Sequence, residues 1–358
     1  MSERAAARPA NPGVATAGEG WRRASGDPAQ KRAKKRRASG RRAAGEVAMV
    51  DDAEFTSYYG RPIIKSPTWK TPDVPLYLFL GGAAGSSAIL GALADVTGRP
   101  ALTRVSRLVA GGGAVASVGF LIHDLGRPER FLHMLRVFKP TSPLSVGSYI
   151  LSPFSAAAGA TAAVELLGWF PRLRRFGGVV SALFGGPMST YTAVLLANTS
   201  VPSWHEPHLE LPFVFAGSAM AAGGGLTMMF TPVDEAGPSR KMGVTGAAIE
   251  LGAMHRVETA HGIVSEPFHE GLAGKLLKVA KACTGSGAAL TVVAGRRRWG
   301  QVASGTLLAA GSLLTRFGVF EAGMASAKDP KYTVIPQKAR KAAREAGQAA
   351  GAAPSVTR

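Results

Sequence analysis

Eight stretches of this chain are apolar for long enough, or nearly long enough, to cross a bilayer, and no other feature constrains the fold as much. The hydrocarbon core demands roughly 20 apolar residues per crossing helix. The expected fold is therefore all-α: a polytopic membrane protein built as a bundle of eight transmembrane helices.

The first span, Val74 to Ala94, has 21 residues without a charge and is closed by Asp95. The second runs from about Val105 to Ile122, with Arg107 able to snorkel to its end. The third covers Pro143 to Trp169, the fourth Phe176 to Thr199 and the fifth Leu211 to Phe230. The sixth, Gly243 to Ile263, carries Glu250, His255, Arg256 and Glu258, so hydropathy alone misses it. The seventh, Leu272 to Gly295, and the eighth, Trp299 to Met324, are bordered by lysine and arginine clusters. Small residues recur in GGAAGSS (81–87), GGGAVASVG (111–119) and AAGGGL (221–226), which in lipid lets helix backbones approach closely.

A mean hydropathy of +0.11 looks low for such a protein, and the tails account for it. Residues 1–54 form a basic N-terminal tail and 328–358 a basic C-terminal tail, both without apolar periodicity and both expected to be disordered, flanking a membrane domain at 55–327. The net charge of +19 is densest at KRAKKRRASGRR (31–42). That run reads as a solvated tail near anionic lipid, not a nucleic-acid patch, because no folded soluble domain accompanies it. No secretory signal is expected either, since no apolar segment follows within reach. The single cysteine, Cys283, excludes a disulfide framework and an iron–sulfur cluster held by this chain.

An even span count puts both termini on one side with loops 123–142, 200–210 and 264–271, and all seven histidines fall on or point toward that side. The opposite side shows Arg99 and Arg104, then Arg172, Arg174 and Arg175, then Arg240 and Lys241, then Arg296 to Arg298. Short basic loops stay in the cytoplasm, so the histidine-bearing side is expected to face outward.

The densest chemistry lies in HDLGRPERFLHMLRVFKPTSPLSVGSY (123–149), where a helix end meets a loop rich in His, Asp, Arg and Glu. An Asp beside a His at a membrane boundary suits proton exchange with a redox partner, while an interfacial loop meeting headgroups is the plainer alternative. Inside the spans, Glu250 and Glu258 share a face of the sixth helix, and Arg316 and Glu321 lie toward the histidine-bearing end of the eighth. Charges there are costly and are usually paired or functional. An Arg316–Glu258 ion pair is the structural expectation, and a proton route through Glu250 the functional one. Trp204 reads either as an aromatic-belt residue or as part of a docking loop.

WKTPDVPLYLFLGGAAGSS (69–87), HDLGRPERFLHMLRVFKPTSPLS (123–145), STYTAVLLANTSVPSWHE (189–206) and LTRFGVFEAGMASAKDPKYTV (314–334) together resemble the NrfD-like polysulfide reductase membrane-subunit family, over about residues 55–338. The resemblance implies a quinone-reactive membrane anchor without haem or iron–sulfur cluster of its own. It implies docking to a ferredoxin-like iron–sulfur subunit and, through it, to a molybdopterin catalytic subunit. Carried over by position, it marks Asp73, Tyr77, His123 and Tyr191 as quinone-binding, with His123 and Asp124 handling protons. Tyr77 and Asp73 depart from relatives that carry histidine and asparagine there, so a phenol would serve a quinone carbonyl.

The residue chemistry agrees, because a menaquinone or ubiquinone needs an apolar slot, one or two donors for its oxygens and a carboxylate to take protons. Arg127, Glu129, Arg130, His205 and Glu206 are the partner-docking candidates. Polysulfide, thiosulfate, nitrite and formate systems all suit the resemblance, with formate dehydrogenase preferred. The alternatives are a haem b anchor using His123, His255 and His261, and a secondary transporter, for which no internal repeat is seen.

Overall fold

The computed structural model describes residues 62–127, 129–168 and 170–351, so the basic N-terminal tail lies outside it. Helices follow one another along the chain: α1 (Asp73–Val96), α2 (Pro100–Leu125), α3 (Glu129–Met134), α4 (Pro143–Leu167), α5 (Pro171–Ala197), α6 (Pro202–His205), α7 (Leu211–Phe230) and α8 (Gly237–Thr259). A 3-10 turn (Gly262–Phe268) leads into α9 (Gly271–Ala294), α10 (Arg298–Lys328) and α11 (Lys331–Gly351).

Seven of these, α1, α2, α4, α5, α7, α9 and α10, are long and apolar enough to cross a membrane. The protein is a multi-pass membrane protein. At 23 residues and about 1.5 Å of rise per residue, α8 has the length of a span but not the hydropathy. It packs along α7 as the other spans pack along their neighbours, as expected of the sixth span despite its charges, though it runs Gly237–Thr259 instead of Gly243–Ile263.

Prolines occupy the first turns of α2, α4, α5, α7 and α8, where a missing N–H costs nothing. The interior prolines Pro153 and Pro187 leave α4 and α5 continuous, as neighbouring helices allow in membrane bundles. At the end of α7 the last carbonyls are capped from another helix: Gln301 Nε2 donates to Thr231 O (2.7 Å) and Met228 O, and Arg298 Nη1 to Thr231 O (3.0 Å).

The centre of the bundle is α1, packed against α2, α5 and α7, and the glycine stripes explain how. A Cβ on Gly85 would lie 2.5 Å from Gly185 O of α5, and one on Gly217 of α7 would lie 2.5 Å from Glu250 N of α8. Only the absence of a side chain permits either crossing. Ser86 Oγ then reaches across to donate to Ala219 O of α7 at 2.6 Å.

Three expectations need correction. Arg107 does not snorkel: it is 6% exposed and bound to Asp95 (3.3 Å) and Glu165 (3.1 Å), because carboxylates near the ends of α1 and α4 meet it inside the bundle. The fourth helix begins at Pro171 instead of Phe176, so Arg172, Arg174 and Arg175 belong to its first turns. The C-terminal tail is helical over Lys331–Gly351; Ala, Lys, Arg, Gln and Glu are strong helix formers, and the helix buries Tyr332 and Thr333 on one side at its start.

Candidate functional site

At the histidine-bearing ends of α1 and α2 the chain builds a polar corner. Gly126, with φ of +71°, ends α2 in the left-handed conformation that glycine adopts without strain, leaving His123 and Asp124 in the final turn. Asp73, 5% exposed, occupies the first turn of α1, and its Oδ2 lies 2.8 Å from His123 Nδ1. A carboxylate accepts, so Nδ1 donates to it, and Nε2 is left free on a side chain that is 76% exposed. Asp124 Oδ1 accepts from the Lys70 backbone N–H at 3.0 Å, which ties the segment before α1 to the end of α2.

One turn into α1 from Asp73, Tyr77 is buried, within electrostatic reach of both Asp124 and Tyr191. Its backbone carbonyl accepts from Ser117 Oγ of α2 at 3.1 Å, fixing the two helices in register. Tyr191 comes from α5 and lies over Gly147 of α4, where a Cβ would stand 2.5 Å from the ring. Asp73, Tyr77, His123, Asp124 and Tyr191 are thus assembled from three helices at one end of the bundle. They line neither of two cavities, of about 190 and 450 Å³, found elsewhere among the described residues.

The docking candidates divide. Arg127, Glu129 and Arg130 are exposed beside the corner. His205 is also exposed, with Nδ1 3.0 Å from Ala197 O, but Glu206 lies 3.5 Å from Arg340 of α11. Trp204 is no belt residue. It is fully buried, donates to Val319 O at 2.8 Å and stacks on Trp69 with ring centres 5.5 Å apart. Glu321 accepts from Thr71 Oγ1 at 3.2 Å, so the segment carrying Trp69, Lys70 and Thr71 is held from α2, α6 and α10 at once. Sequence reasoning singled out that segment only for its family resemblance and missed these contacts, because backbone donors carry no residue signature.

The family described as polysulphide reductase, NrfD, matches residues 64–254, just over half of the 358-residue chain. The chain belongs to that family. No curated protein matches it. NrfD-family membership makes it a membrane subunit of a polysulfide reductase-like redox system, and the matched region contains the whole polar corner.

The intramembrane charges of this NrfD-family subunit are paired differently from expectation. Glu258 binds Lys281 of α9 (2.8 Å), not Arg316, because its side chain turns toward α9. Arg316 is fully buried, donates to Phe215 O at 2.8 Å and lies with its guanidinium 3.7 Å from the Phe215 ring centre. Its electrostatic counterpart is Glu250, which accepts from Thr315 Oγ1 at 2.5 Å. Ser218 and Ser312 hydroxyls, 2.8 Å apart, extend this cluster between α7 and α10. Glu250 Oε2 and Arg316 Nη1 and Nε have no hydrogen-bond partner among the described residues.

Proposed function

We propose that this protein exchanges electrons between a membrane quinone and a docked ferredoxin-like iron–sulfur subunit, which passes them to or from a molybdopterin catalytic subunit. The reading is carried by one observation: two carboxylates, an imidazole and a buried phenol meet at the membrane boundary beside an exposed charged loop. Quinol oxidation releases two protons and two electrons, and reduction consumes them. Asp124 and His123 hold or pass the protons, Asp73 orients the His123 ring, and Tyr77 and Tyr191 supply donors to the quinone oxygens. The electrons leave or arrive through the partner seated on Arg127, Glu129, Arg130 and His205.

Residues 55–327 constitute the quinone-reactive unit, and the polar corner faces out of the cytoplasm, because the opposite side keeps the short basic loops. Formate is the preferred terminal substrate.

The test is purification in mild detergent with whatever remains bound. A four-cluster ferredoxin-like subunit, and quinone reduction that stops when that subunit is stripped off, are the expected results. A stoichiometric haem absorbance from this chain, or co-purification with no redox partner, overturns the reading.

A further inference from the structure

The end of the bundle opposite the polar corner holds a cavity of about 450 Å³, lined by Asp95, Arg107, Arg172, Arg174, Arg175 and the apolar wall of Phe176 and Val179. Two carboxylates serve three of its four guanidiniums: Asp95 binds Arg107 (3.3 Å) and Arg175 (3.2 Å), and Glu165 binds Arg107 (3.1 Å) and Arg174 (3.3 Å). Arg172 has no acidic partner among the described residues, so the site keeps an excess of positive charge. The Nε–H groups of Arg107 and Arg174 are buried without an acceptor among the described residues.

Geometry narrows what an anion here must look like. Gly178 leaves room for Arg107, since a Cβ there would lie 3.3 Å from its Nε. Along the same helix Leu173, Phe176, Val179 and Leu183 are 53–73% exposed and form a continuous apolar strip running from the arginines toward the middle of the membrane. A soluble anion uses only the basic end of this arrangement; an amphipathic one uses both.

We propose that this pocket is a specific site for an anionic phospholipid, its phosphate on Arg172, Arg174 and Arg175 and its first acyl segment along Phe176 and Val179. Guanidinium forks match phosphate oxygens in a bidentate way, and basic pockets between spans are suited to such headgroups. The bound lipid sits along α5, beside the Asp95–Arg107 pair of α1 and α2, at the end remote from the quinone-reactive corner, so the inference stands apart from the proposed function.

The test uses the full-length protein in detergent, titrated separately with phosphatidylglycerol, phosphatidylcholine and inorganic phosphate. Thermal unfolding and native mass spectrometry are the readouts. Phosphatidylglycerol is expected to raise the unfolding midpoint and to remain bound in the gas phase, while phosphatidylcholine and phosphate do neither. Arg172→Ala, an exposed residue whose loss leaves the fold intact, should weaken phosphatidylglycerol binding roughly fivefold, the scale of one cation near a lipid headgroup. Arg296→Ala, on the same membrane side but outside the pocket, should leave it unchanged. Equal responses to phosphate and phosphatidylglycerol, equal weakening by both variants, or no lipid-dependent shift would each overturn the proposal.

Discussion

His123 Nδ1 and Asp73 Oδ2 stand 2.8 Å apart, joining the last turn of α2 to the first turn of α1 across 50 residues of sequence. If Asp73 acts by orienting the imidazole, the two act as one unit. Asp73→Asn and His123→Ala should each lower quinone-linked turnover at least tenfold. The double variant should be no worse than the poorer single one, since coupled residues are non-additive. Multiplicative losses in the assembled complex would separate their roles.

Asp124 has two jobs that a pair of variants can divide. Asp124→Asn keeps an oxygen for the Lys70 N–H but removes the base, so turnover should fall roughly 100-fold or more while the complex assembles normally. Asp124→Ala removes the anchor as well and should also lower assembly. Tyr77→Phe should weaken quinone binding by about 1 kcal/mol, or about fivefold in Kd, the net value of one hydrogen bond. An Asp124→Asn complex that turns over at the parental rate would move this residue from the reaction to the docking surface.

For the intramembrane charges, double-mutant cycles on thermal unfolding should find Glu258 coupled to Lys281 by about 0.5 to 1 kcal/mol, the modest scale appropriate to a lysine that is 37% exposed. Glu258 and Arg316 should be additive within about 0.5 kcal/mol. Coupling between that second pair would contradict the arrangement around α8, α9 and α10.

The crossing of α1 and α5 has no room for a side chain. Gly85→Leu should destabilise the bundle by at least about 1 to 3 kcal/mol, because the new atoms meet backbone at Gly185 and cannot be accommodated by rotamer changes. The folded yield and monodispersity of the purified protein report this. Gly112→Leu, whose Cβ would meet nothing within 4 Å, is the control expected to behave as wild type.

Outside the spans, Lys331 lies 3.0 Å from Glu266 and holds that carboxylate below its ordinary range, while the same hydrogen bond raises the ammonium of Lys331. A depressed carboxylate contributes above its unfolded value, about 4.3, and that contribution is lost as pH falls through the folded value. A raised lysine contributes below about 10.4 and loses its part as pH rises further. The start of α11 should therefore be held steadily between these limits. A spin label at Ala342→Cys, in a Cys283→Ser background, should gain mobility at the acid end. With Lys331→Ala the label should be mobile at every pH; insensitivity to both would show that the pair does not anchor the helix.

The sequence by itself determined that this is a helical membrane protein and, to within about six residues at each end, where its spans run. Apolar length is a local property, and Leu211–Phe230 was readable to the residue. It also determined that His123, Asp124 and Tyr77 belong near one boundary, since each lies near the end of a span whose direction follows from counting. Partner choice was a different matter. Glu258 meets Lys281 instead of Arg316, Arg107 meets Asp95 and Glu165 instead of water, and Asp124 accepts from a backbone N–H. Helix rotation and crossing geometry decide those pairings, and they are set by where glycines let backbones touch. Gly85 against Gly185 and Gly217 against α8 are relations between distant parts of the chain, so only the tertiary structure carries them.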